Sequence, residues 1–224
     1  MKGDGSEPVE TLRAALTRHG LILRGGLHPQ PDDEAPDGIA TLLLIGNAGA
    51  AMWPHFQAGR RDEPDPLDRW CRRVIDPLAA RLNGRAFYPG DGPPYRPFQR
   101  WALKAEPVHP SPLGLLVHPE HGLWHAYRGA IGFADRLPLP RRDRGDNPCT
   151  ACRERPCLAA CPVEAFSDER YDTGRCAAHL HRPAGRDCLE QGCRARRACP
   201  VGRSAYASGQ AAFHMDAFLA NHAP

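Results

Sequence analysis

Eight of the nine cysteines in this chain fall between Cys149 and Cys199, and that density of thiols constrains the fold more than any other feature. The remaining one, Cys71, stands alone far upstream. The start of the chain, Met1 to Glu10, carries Asp4 and Glu7 and lacks the apolar core of a secretory signal, so a cytoplasmic location is expected. Thiols kept reduced in that compartment point to metal ligation before a disulfide framework.

The order is Cys149-x2-Cys152-x4-Cys157-x3-Cys161-Pro162, then Cys176, then Cys188-x4-Cys193-x5-Cys199-Pro200. The first run is a near copy of the bacterial ferredoxin spacing, with four residues instead of two before the third cysteine. Thiolates two residues apart can wrap one corner of a cubane, and a following proline disfavours helical geometry at the last cysteine. In two-cluster ferredoxins the cysteine before proline serves the other cluster. The pattern therefore assigns Cys149, Cys152, Cys157 and Cys199 to one [4Fe-4S] cluster, and Cys161, Cys176, Cys188 and Cys193 to a second. Cys71 is left over as a half-buried apolar residue. Two four-cysteine zinc sites are the alternative, and the paired Cys-Pro steps favour iron-sulfur. His179 and His181 lie among the ligands and are read as residues at the surface or behind them. Each oxidised cluster carries about −2 with its thiolates, so Arg153, Arg155, Arg175, Arg194, Arg196 and Arg197 are candidate compensating charges.

Upstream the chain alternates short elements, as in an α+β domain. Val9, Leu12, Ala15 and Leu16 recur at helical spacing between a Ser6 cap and Gly20. Leu21 to Leu27 and Ile39 to Gly46 have strand length, the second apolar enough for a central strand. A helix is predicted over Pro66 to Asn83, capped by Asp65, with Pro77 kinking or breaking it. Arg85 to Tyr88 reads as a strand, and Phe98 to Ala105 as a helix. Leu113 to Val117 and Leu123 to Phe133 flank a turn and suggest a hairpin. The expected organisation is a first domain over 1–134, a linker over 135–148, the cysteine domain over 149–204, and a last helix within 205–224.

Glycine (22) and proline (24) make up about a fifth of the chain, so turns are frequent and a long-helix bundle is excluded. The longest nearly apolar stretch, Thr41 to Trp53, is too short to span a bilayer, so no membrane is expected as a partner. A net charge of +3, with acids interspersed, argues against nucleic acid. No Walker, Rossmann, nucleophile-elbow or zincin motif occurs.

The Cys149 to Cys199 pattern resembles the di-cluster domain of epoxyqueuosine reductase and the reductive dehalogenases. The stretch Gly114-Leu-Leu-Val-His118-Pro119-Glu-His-Gly122-Leu-Trp124-His-Ala-Tyr127-Arg128-Gly129 is similar to a strand-turn-strand segment of the cobalamin-processing family. These resemblances imply a nitroreductase-like sheet-and-helix domain followed by a small ferredoxin-like domain. They also imply a cobalamin or other corrinoid near His118, Trp124, Tyr127 and Arg128. In the stretch Lys104-Ala105-Glu106-Pro107-Val108, Lys104 stands where epoxyqueuosine reductase carries the acid of D-S-A-P-V, and Glu106 lies two positions along. The implied function is an iron-sulfur redox protein that passes electrons to a corrinoid or other substrate held by the first domain. The alternative is a plain ferredoxin-type carrier whose first domain docks a partner. Either way, an electron donor or acceptor protein is the implied partner.

Overall fold

The first helix, α1 (Glu7–Thr17), buries Val9, Leu12, Ala15 and Leu16, the residues whose spacing predicts it. Gly20 follows at φ +65°, and a Cβ there would lie 2.2 Å from the Ala51 carbonyl oxygen, so only glycine fits. The structure is a computed structural model describing residues 7–139, 145–167 and 170–222; the Ser6 cap lies outside the described residues. Backbone contacts divide the chain into two compact units, Met1–Pro107 with His125–Arg144, and Val108–Trp124 with Gly145–Pro224.

In the first unit β1 (Ile22–Leu27), β2 (Thr41–Ala48), α2 (Met52–Gly59), α3 (Pro66–Arg81), β3 (Arg85–Phe87) and α4 (Phe98–Ala105) succeed one another. In the second unit β4 (His109–Pro110) pairs with β5 (Leu116–Val117), and the first unit resumes with β6 (His125–Phe133). The four-stranded sheet has the order β1-β2-β6-β3, antiparallel throughout. Strand β2 is buried at every position except Ala48, as its uninterrupted apolar run predicts for a central strand.

Two bulges flank β2 at one level. On one side Leu23 pairs with Ile45 and Gly25 with Leu44, leaving Arg24 out of register. On the other, Ile45 pairs with Gly129 and Gly46 with Tyr127, leaving Arg128 out of register. A bulge re-aims the side chain of the extra residue, and both extra residues here are arginines.

Several expectations need correction. The Leu113 to Phe133 hairpin forms only at its turn, where His118 and Gly122 bridge antiparallel; beyond it Leu116–Val117 pairs with His109–Pro110, while His125–Phe133 pairs with β2 and β3. Val108–Trp124 thus joins the cysteine unit and not the sheet, contrary to the expected boundary at 134. Asp65 makes no side-chain cap and sits in the left-handed region at φ 47°. Helix α3 runs through Pro77 without a break. That residue lies on the exposed face, where water can take up the carbonyl it leaves without a partner. The start of the supposed linker is tied down, since Leu137 is buried and its N–H donates to Thr41 Oγ1.

The second unit is built from short helices: α5 (Pro148–Ala151), α6 (Pro156–Ala159), α7 (Thr173–Leu180), α8 (Arg186–Gln191), α9 (Arg194–Ala198) and α10 (Ser208–Ala220). No helix among the described residues is long and apolar enough to cross a membrane.

Candidate metal centre

The short helices carry the cysteines, with Cys149, Cys152, Cys157, Cys193 and Cys199 at or near helix ends and Cys176 and Cys188 within α7 and α8. Asn147 Oδ1 accepts the Cys149 N–H at 3.0 Å and opens α5. Cys193 and Cys199 bracket α9 with extended backbones, at φ/ψ of −50°/122° and −59°/125°. For Cys199 this is the effect expected of the following Pro200.

Cys149, Cys152, Cys157 and Cys199 line one cavity, with about 370 Å³ of non-protein space that is partly open to solvent. Cys161, Cys176, Cys188 and Cys193 line a second, of about 300 Å³. These are the two quartets that the spacing assigns, and the chain crosses between them: Cys161 leaves the first run for the second cavity, and Cys199 returns to the first. Burial pushes the Cys149, Cys157, Cys176 and Cys193 thiols up, and neighbouring cysteines of the same quartet push them further. Thiolates crowded this way are unfavourable unless a cation compensates them. Among the described residues no group of three or more His, Cys, Asp and Glu side chains is drawn in tightly enough to hold a single metal ion.

The framework behind the first cavity comes from the segment assigned by sequence to the other domain. Leu113, Val117 and Leu123 pack with Ala195 and Cys199 in one buried cluster, against which Cys149, Cys157, Cys161 and Cys193 lie. Gly122, at φ +57°, abuts the turn after Cys199 so closely that a Cβ would lie 2.0 Å from the Val201 carbonyl oxygen. Gly202, at φ +72°, meets His121 in the same way, at 2.2 Å. The only sequence signal for this embrace is the pair of glycines, which spacing cannot match to each other.

Of the six candidate compensating arginines, Arg155 lines the first cavity and Arg194 the second. Arg194 and Arg197 both bind Asp187, and Arg175 Nη1 donates to the Val163 carbonyl at 3.2 Å. Arg196 donates to the Leu123 carbonyl at 2.6 Å and lies over the Trp124 ring. Arg153 is exposed. His181 is exposed too, whereas His179 is buried beside the second quartet.

The four residues tied to a corrinoid fall into both units. His118 Nδ1 accepts the N–H groups of Glu120 and His121, and its ring stacks on His121 at 4.4 Å. Trp124 packs on Tyr206. In the first unit the Tyr127 hydroxyl donates to Glu106, and Arg128 Nε donates to Asn47 Oδ1 at 2.9 Å. Glu106 also forms a buried pair with Arg24, at 2.7 Å, and Lys104 pairs with Asp33. The sequence did not mark Arg24 or Asn47 for this network.

Cys71 on α3 is fully buried, and desolvation pushes its thiol up to about 11. Cys71→Ala is expected to leave metal content unchanged, by iron and zinc assay of the purified chain. A loss of metal would show that one of the eight ligands is misassigned.

A mixed sheet-and-helix unit joined to a unit of short helices around two cysteine-lined cavities defines the architecture. No family model matches the chain, and no curated protein does. Among solved structures the fold is similar to epoxyqueuosine reductase, in a crystal structure with a tRNA-Tyr epoxyqueuosine-modified stem loop. The TM-score is 0.53 at 13% identity, and the match covers 90% of this chain and 66% of that one.

Proposed function

We propose that this chain is an iron-sulfur electron-transfer protein holding two [4Fe-4S] clusters, on Cys149, Cys152, Cys157 and Cys199 and on Cys161, Cys176, Cys188 and Cys193. The observation that carries the reading is the sorting of eight cysteines, against their order in the chain, into two four-cysteine cavities. All-thiolate quartets interlocked through two Cys-Pro steps fit cubane clusters better than zinc. Such clusters supply one-electron chemistry at potentials set by burial and by hydrogen bonds to sulfur. The chain's own part is to hold the thiolates, to donate hydrogen bonds such as Ala165 N–H to Cys161 Sγ at 3.3 Å, and to limit water.

Two destinations for the electrons follow from separate observations. The fold likeness to epoxyqueuosine reductase supports a reductive enzyme whose first unit holds the acceptor. The engagement of His118, Trp124, Tyr127 and Arg128 within their own units supports a carrier that exchanges electrons with partner proteins. The corrinoid placement at His118, Trp124, Tyr127 and Arg128 rests on the sequence resemblance, and each of these side chains also packs or hydrogen-bonds within its own unit.

Anaerobically reconstituted protein is expected to be brown, to bleach with dithionite, and to contain about eight irons per chain, four for each cubane. Stoichiometric zinc without a visible chromophore would overturn the reading. Titration of the reconstituted protein with cobalamin, cobinamide and flavin then separates the two destinations: spectral change with any of them favours the enzyme, and none favours the carrier.

A further inference from the structure

His179 sits in the last turn of α7, three residues after Cys176, so the two side chains share one side of the helix. It is 9% exposed, and its Nε2 is shielded from solvent and has no hydrogen-bond partner among the described residues. It lines the same cavity as Cys161, Cys176, Cys188 and Cys193. Leaving a buried polar group unsatisfied costs about 1–3 kcal/mol, so a histidine here calls for an acceptor in the cavity it borders. An apolar side chain would line that wall without this cost.

We infer that His179 donates a hydrogen bond from Nε2 to sulfur of the cluster held by the second quartet and thereby raises that cluster's reduction potential. The inference rests on the iron-sulfur reading of the site. Its physical basis is the charge change: reduction adds one electron to the cluster and moves no proton, so an N–H directed at sulfur is worth more in the reduced state. His179 is in this sense a positioning residue for electron transfer, with Nε2 protonated and the ring held by α7. His181, two residues on and exposed, has no such setting.

The test compares wild type with His179→Phe, His179→Leu and His179→Gln, each reconstituted anaerobically, by iron assay and by a redox titration followed by electron paramagnetic resonance. The phenylalanine and leucine variants should keep about eight irons per chain. Their second-cluster equilibrium should move about tenfold toward the oxidised form, a fall of about 59 mV for one electron, with the first cluster unchanged. Glutamine keeps an N–H donor and should fall less. An unchanged midpoint in whichever of the Phe and Leu variants loads both clusters would overturn the inference. So would loss of about four irons in all three variants, which would mark His179 as a ligand. Failure of the wild type to take up iron would instead overturn the proposed function beneath it.

Discussion

Cys161→Ala is expected to remove about four of about eight irons per chain, and to remove them from the cluster served by Cys176, Cys188 and Cys193. Cys161 lies only four residues from Cys157, yet the two border different cavities. A ligation scheme that followed sequence proximity would take the iron from the Cys149 cavity. The reciprocal variant, Cys199→Ala, should strip the first cluster and spare the second. Iron assay gives the count, and paramagnetic resonance of the two reduced variants shows which cluster remains. If both variants lost the same cluster, the crossing would be absent. Because Cys161 and Cys199 each sit beside cysteines of the other quartet, the two cavities share one framework, and Leu113, Val117 and Leu123 support both from the same buried cluster.

The second large effect lies in the first unit. Glu106→Ala is expected to destabilise the protein by about 3–5 kcal/mol, the usual result of stripping one partner from a buried ion pair. Arg24 would be left with a side chain 1% exposed and no carboxylate, and the Tyr127 hydroxyl would lose its acceptor. In a protein of this size that loss lowers the melting temperature by roughly 10 °C. Glu106→Gln keeps an acceptor and should cost less. The double variant Arg24→Met, Glu106→Leu should recover much of the loss, since an apolar pair of similar volume replaces two desolvated charges. A melting temperature equal to wild type in Glu106→Ala would show that water reaches Arg24 and that the pair is not buried in solution.

The pair also explains where the two bulges fall. Arg24 Nη1 donates to the Asn47 carbonyl at 3.2 Å, while Arg128 Nε donates to the side chain of the same asparagine. The end of β2 is thereby fixed from both sides by residues that the bulges turn out of the regular alternation. Arg128 is desolvated near Cys71, and burial lowers its pKa from the ordinary arginine value. Cys71 and Asp68, both on α3, are its electrostatic neighbours.

Elements whose signal is local were legible in the chain. The spacing of Val9, Leu12 and Leu16, the apolar run of β2, and Pro66 opening α3 each report a periodicity or a backbone restriction carried by neighbouring residues. The cysteine spacing carries a signal of the same class, since proline fixes the geometry of the residue before it. Tertiary structure alone decided that His109–Pro110 captures Leu116–Val117, leaving β6 to the sheet. A strand's partner depends on which edge is free and which apolar face is available, and both alternatives present similar short runs. It also decided that Glu106 meets Arg24, 82 positions away, and that His179 is turned inward while His181 is exposed. Burial of a polar side chain is set by residues distant in the chain, so no local pattern in the sequence can announce it.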